Sequence, residues 1–203
     1  MESYGDRSIM SAKVDTLKNS SGQDTLVNGY PRQPGRIIEY LSGMCDGSRV
    51  TVASGTYQLQ QVSAAQASTT SYANITGSAI DYVPPAGASA VTYRFHFSTY
   101  WQAAHAIFHY KFFINDVEVV YARHCRSGQY IEDRAAFEWT IDIGGADNAN
   151  TGRQATWNQI KRLYMQVRQY GGSNYGNLHS TYYFDGAGSN QFSMPQLSII
   201  ATA

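Results

Sequence analysis

The sequence predicts an all-β protein, an antiparallel β-sandwich or jelly roll preceded by an extended N-terminal arm. Apolar stretches of strand length, about ten of them, follow one another with turn residues at roughly 8–12-residue intervals. Several alternate apolar and polar residues with the period of two that a half-buried strand requires. No stretch has a convincing amphipathic helical period.

The first 36 residues share neither pattern. Their apolar residues come singly or in pairs (Ile9 with Met10, Val14, Leu17, Leu26 with Val27) among Ser, Asn, Asp, Gln, Gly, Lys and Pro. Such a stretch buries too little surface to offset its own ordering entropy. It is therefore expected to gain order against another surface, with Val14, Leu17, Leu26 and Val27 filling pockets there. Tyr30-Pro31-Arg32-Gln33-Pro34-Gly35 breaks helix and sheet alike and marks the boundary. This divides the chain into an anchoring arm, 1–36, and a β-domain, 37–203.

Within the domain, Arg36–Leu41 and Arg49–Ala53 read as strands joined through Ser42-Gly43 and Asp46-Gly47. Ser54-Gly55 turns the chain into Thr56–Val62, and Ala73–Val83 runs into the stop Pro84-Pro85-Ala86-Gly87. In Val91–Phe97 the odd positions are apolar and the even ones polar, and Phe108, Tyr110, Phe112 and Ile114 repeat the pattern. Asn115-Asp116 then makes a tight turn into Val117–Tyr121, completing a hairpin. Phe137–Ile143, Leu163–Val167 and Phe192–Ile200 supply the remaining strands. Tyr100–Phe108, with Ala103 and Ala104, is the one segment that suits a turn of helix.

The totals narrow the function classes. Fifteen basic and fifteen acidic residues cancel, leaving no basic excess for a phosphate backbone, so no nucleic-acid partner is expected. Only 15% of the 203 residues are charged while 16 are Tyr. A surface of that kind suits contact with other protein or with a neutral ligand. No apolar run approaches the roughly 20 residues that span a bilayer, and Met1–Asp6 lacks a signal peptide's basic and apolar regions. No membrane association is expected, and assembly is placed in a cytoplasm. Cys45 and Cys125 have no metal-ligand spacing and read as buried thiols.

The chemical candidates are few. His105 and His109 would suit a metal at i and i+4 of a helix, with His124 and Cys125 as further ligands; on strands that spacing dissolves, leaving half-buried, hydrogen-bonded histidines. No metal or cofactor is expected. Glu132, Asp133 and Asp185 are the carboxylates that could hydrolyse sugars, but adjacent carboxylates point to opposite faces of a strand. The chain has no GxSxG, P-loop, Rossmann glycine pattern or Cys/His nucleophile arrangement, so no enzyme is expected. Asn19-Ser20-Ser21 and Asn74-Ile75-Thr76 match the glycosylation triplet by chance. Tyr170-Gly171-Gly172-Ser173-Asn174-Tyr175-Gly176-Asn177 and Ser180–Gly186 combine rigid amphipathic rings with small hydrogen-bonding groups, as adaptable binding surfaces do. Tyr170, Asn174, Tyr175, Asn177, Tyr182 and Tyr183 are the candidate ligand-binding residues, the other reading being loops that pack on a neighbouring subunit.

The arm segment Ser11-Ala12-Lys13-Val14-Asp15-Thr16-Leu17-Lys18-Asn19-Ser20-Ser21-Gly22 resembles the leader of many marine bacteriophage and algal-virus virion proteins, fibre and appendage subunits above all. Arg36–Leu41, Cys45-Asp46-Gly47-Ser48, Ser54-Gly55-Thr56-Tyr57, Tyr82–Gly87 and Tyr183–Gly188 are similar to a β-domain common in cyanophage-like structural proteins. The resemblance implies a virion component with a jelly-roll-like domain, a homotrimer, and no catalytic residues. The expected function is a capsid-decoration, fibre or tail-fibre subunit. Its arm, roughly 100 Å long if extended, would add strands to a capsid or tail adaptor protein. The alternative is a carbohydrate-binding module for host surface glycans.

Overall fold

A computed structural model describes residues 34–102, 105–186 and 188–203 in full, and the backbone of 16–18, 24–27 and 30–31. By its internal contacts the chain divides into residues 1–36 and 37–203.

In the first unit three short strands, β1 (Thr16–Lys18), β2 (Asp24–Val27) and β3 (Tyr30–Pro31), form an antiparallel sheet in the order β1-β2-β3. The sequence reading places an extended anchoring arm here, and within it the described backbone pairs these three short strands. Val14 lies outside the described residues, as do the side chains of Leu17, Leu26 and Val27.

The second unit is all β. Its strands are β4 (Ile37–Met44), β5 (Arg49–Val52), β6 (Gly55–Gln58), β7 (Gln66–Ala67), β8 (Ala73–Asn74), β9 (Ile80–Tyr82), β10 (Ala90–Trp101), β11 (Ala106–Ile114), β12 (Val117–Glu118), β13 (His124–Gly128), β14 (Glu132–Asp142), β15 (Lys161–Gln169), β16 (Gly176–Leu178), β17 (Ser180–Thr181), β18 (Gln191–Phe192) and β19 (Gln196–Thr202). One curled sheet runs β4-β19-β10-β16-β7, with β14 on the other side of β10. The second runs β12-β11-β15-β8, with β13 also on β11 and β9 also on β15. All of these pairings are antiparallel. The sheets pack as the predicted antiparallel sandwich.

The core follows from the alternation. Val91, Tyr93, Phe95 and Phe97 of β10 are buried, as are Phe108, Tyr110, Phe112 and Ile114 of β11. Rings meet across the two sheets, Tyr93 on Phe112 at 4.9 Å and Phe97 on Tyr110 at 6.0 Å between centroids. Asn115 and Asp116 take φ of 47° and 65°, the left-handed pair that a two-residue hairpin turn needs.

Several expected strands are interrupted, each for a local reason. The stretch Ala73–Val83 divides at Gly77, whose φ is +85°. Phe192–Ile200 divides at Pro195, which has no N–H for a ladder, and whose carbonyl instead accepts from the Cys45 N–H at 3.0 Å. After Glu118 the chain leaves the sheet for a 3₁₀ turn at Val120–Ala122, which carries Val119 and Ala122 into the core. The helical option at Tyr100–Phe108 is not taken: Tyr100 and Trp101 finish β10 and Ala106 opens β11, while Ala103 and Ala104 lie outside the described residues. Cys45 is buried, with burial pushing its thiol up to about 12, whereas Cys125 is exposed. That corrects the expectation of two buried thiols: Cys125 sits on β13, at the rim of its sheet, opposite the half-buried His109. No helix among the described residues is long and apolar enough to cross a membrane.

Candidate recognition site

Strand pairing gathers four loops at one end of the sandwich. The end of β10 pairs with the starts of β14 and β16, while the start of β11 pairs with the ends of β13 and β15. The connections 102–105, 129–131, 170–175 and 182–190 therefore open at the same end. Their only formally charged residue is Asp185. Tyr130, Ile131, Tyr170, Tyr175, Tyr183 and Phe184 are exposed there, as is Phe192.

The tyrosines do not hang free. Tyr100 is buried, and the Tyr182 ring stacks flat on it, 4.7 Å between centroids with 9° between planes. Tyr183 stands edge-on to both, at 6.0 and 5.0 Å. One carboxylate oxygen of Glu132 accepts from the backbone N–H groups of both Tyr182 and Tyr183, holding the pair over the end of β10. Burial, with Tyr183, Tyr182 and Glu132 adding to it, pushes the Tyr100 hydroxyl up to about 12, so it remains protonated at neutral pH.

Close backbone approach sets the neighbouring loop. A Cβ on Gly176 would lie 2.3 Å from the Tyr100 carbonyl oxygen, so only glycine lets β16 reach β10 here. Tyr175, just before it, accepts the Gln102 N–H at 3.2 Å. The Asn174 side chain donates to the His105 carbonyl, and the Asn177 side chain lies 3.5 Å from Gln102 Oε1 and 3.4 Å from Asn190 Oδ1. Of the six candidates, Tyr182 and Tyr183 form one aromatic platform, and Asn174, Tyr175 and Asn177 line the adjoining loop. Tyr170 turns elsewhere, toward His109 at 5.9 Å between rings. Sequence reasoning missed Tyr100, Tyr130, Ile131 and Phe192, whose place at this end depends on pairing between distant strands.

Beneath the loops lies His179, between β16 and β17 and fully buried. Its backbone φ is 57°, its N–H donates to the Ser98 carbonyl at 2.7 Å, and its carbonyl accepts from Ser193 at 2.9 Å. The ring sits edge-on to Phe95 and Phe97, and neither nitrogen has a hydrogen-bond partner among the described residues. Burial lowers its pKa to about 4, only partly opposed by the nearby Thr76 backbone.

The remaining chemical candidates are dispersed. Glu132 is taken up with the Tyr182 and Tyr183 N–H groups, Asp133 pairs with Arg126, and Asp185 is exposed in a turn. His105 lies in a loop and His109 on β11, so the i, i+4 ligand spacing does not arise. His124 is half-buried, stacked on Tyr110 at 4.6 Å and against Phe137 at 5.4 Å. Among the described residues no three His, Cys, Asp or Glu side chains gather as a metal ion would require. A shallow groove of about 290 Å³, lined by Tyr72, His109, Tyr110, Arg123, His124 and Cys125, opens on the second sheet.

No protein-family model matches the chain, and comparison with curated protein sequences finds no match either.

Proposed function

We propose that this chain is a non-enzymatic attachment and display protein, a virion structural subunit of the capsid-decoration, fibre or tail-fibre kind. Residues 1–36 would anchor it to a capsid or tail adaptor protein in the host cytoplasm, and residues 37–203 would present the loop end outward. The observation that carries this reading is the division of the chain at residue 36, with residues 37–203 holding an extensive apolar core among the described residues. A domain that holds its own core would not need the leading segment in order to fold. Deleting residues 1–30 is therefore expected to leave thermal unfolding of the domain within a few degrees of the full chain, and to abolish incorporation into particles. Loss of cooperative unfolding in the shortened protein, or unimpaired incorporation, would refute the reading.

A second reading, a carbohydrate-binding module, is favoured by the aromatic platform and its amide neighbours. Flat rings held in place and almost no charge suit a neutral glycan. On a glycan array the full chain would then retain a neutral glycan. Tyr175→Ala would weaken that binding at least tenfold, about 1.4 kcal/mol, without changing the unfolding midpoint. An array blank for the wild-type protein removes this reading.

A further inference from the structure

We propose that β14 is a self-association edge, pairing antiparallel with β14 of a second copy about a two-fold axis at Ala136. β14 pairs with β10 through an unbroken eleven-residue register and, among the described residues, with no other strand. Outside that ladder, no backbone-to-backbone hydrogen bond among the described residues involves residues 134–141. Exposed edges are commonly blunted by Lys, Pro or a bulge; β14 has none of these. Arg134, Ala136, Glu138 and Thr140 form its exposed face.

The charges on that face select the partner and the register. Facing residues of two antiparallel strands share one side of the sheet, so a two-fold axis must pass through a residue position. With the axis at Ala136, Arg134 of each copy faces Glu138 of the other, and Glu132 faces Thr140. An axis at Arg134 sets arginine against arginine; at Ala135, Glu132 against Glu138; at Phe137, Glu132 against Asp142; at Glu138, glutamate against glutamate. Like charges directly opposite destabilise a strand pair, so of these five registers only Ala136 is free of them; an axis at Trp139 also avoids them but overlaps only residues 136–142 and forms no Arg134–Glu138 pair.

Arg134 has no ion-pair partner among the described residues, while Glu138 already holds Arg94 at 2.5 Å. In the pair, Glu138 would sit between its own Arg94 and the second copy's Arg134. The interface is isologous, the commonest symmetry of soluble oligomers, and it sets a two-fold assembly against the trimer expected from the resemblance. It does not depend on what residues 1–36 attach to.

Light scattering on the full chain at tens of micromolar is expected to return twice the 22.5 kDa of one chain. Arg134→Glu should return the monomer mass with an unchanged near-ultraviolet spectrum, because Arg134 is exposed. Arg134→Glu combined with Glu138→Arg should restore the dimer by exchanging the charges. In a Cys125→Ser background, Ala136→Cys should form an intermolecular disulfide on oxidation and Thr140→Cys should not, since only position 136 faces itself. A wild-type monomer or trimer, a dimer indifferent to Arg134→Glu, or equal crosslinking at both positions would overturn the proposal.

Discussion

Lowering the pH from 7 to 4 is expected to remove about 3 kcal/mol of folding stability through His179 alone. Its ordinary value near 6.5 falls to about 4 in the folded protein because the ring is buried, an effect the Thr76 backbone only partly opposes, and each tenfold difference in proton affinity is worth about 1.4 kcal/mol. The sign follows from which state takes the proton first. The unfolded chain protonates His179 as pH drops below 6.5, while the folded one resists until about 4. The stabilisation is therefore complete above 6.5 and is lost progressively between those values.

His124, also lowered by burial, acts in the same direction. His179→Asn separates the two, since Asn tolerates the left-handed backbone at this position. Whatever its stability at pH 7, its urea midpoint should lose most of the dependence on pH between 6.5 and 4. Equal slopes for wild type and variant would show that the buried ring finds a proton-accepting partner. Because Ser98 and Ser193 bind the backbone of this residue, the segment carrying Tyr182 and Tyr183 should be the first to exchange amide protons in acid.

Glu39→Ala is expected to cost about 3–5 kcal/mol, among the largest effects of any single substitution in the domain. Glu39 is buried on the core side of β4. Its carboxylate accepts from the Ser54 N–H at 2.7 Å, the Ser54 hydroxyl at 2.7 Å and the Tyr82 hydroxyl at 2.6 Å. Tyr57 extends the network, its hydroxyl 2.7 Å from that of Ser54 and donating to the Val83 carbonyl at 2.8 Å. These bonds tie β4 to the β5–β6 hairpin and to β9. Burial, with Glu39 adding to it, raises the Tyr82 pKa far above 10, so it remains a donor. Removing the acceptor strands a backbone N–H and a tyrosine hydroxyl away from water, and that desolvation dominates the lost bonds themselves. Glu39→Gln keeps one acceptor oxygen and should lose markedly less. Urea unfolding at constant m-value measures both, and a loss under about 1 kcal/mol for Glu39→Ala would contradict this account.

Glu39 also shows where sequence legibility ends. Alternation predicted β10 and β11 and the faces of their side chains, because each strand packs one face on a core and the other on solvent or loops. Arg36–Leu41 gave no warning that a glutamate would point inward beside Leu41. Glu39 keeps the regular parity of Leu41 and so faces the core, while the register shift of β4 against β19 between Ala201 and Thr202 turns the apolar Ile37 outward instead. Likewise Glu132 and Asp133 looked like a solvated pair, and only the return of β17 over β10 gives Glu132 two tyrosine N–H groups to accept.

Composition and period by themselves determined the β class, the boundary near residue 36, the Asn115-Asp116 turn and the inward faces of the central strands. Each of these depends on neighbours a few residues away, where backbone geometry and the apolar pattern act directly. The tertiary structure alone decided the Tyr100–Tyr182–Tyr183 platform, the burial of His179 and the open edge of β14. Each arises where strands distant in sequence are brought side by side, and no local pattern encodes which strands will meet.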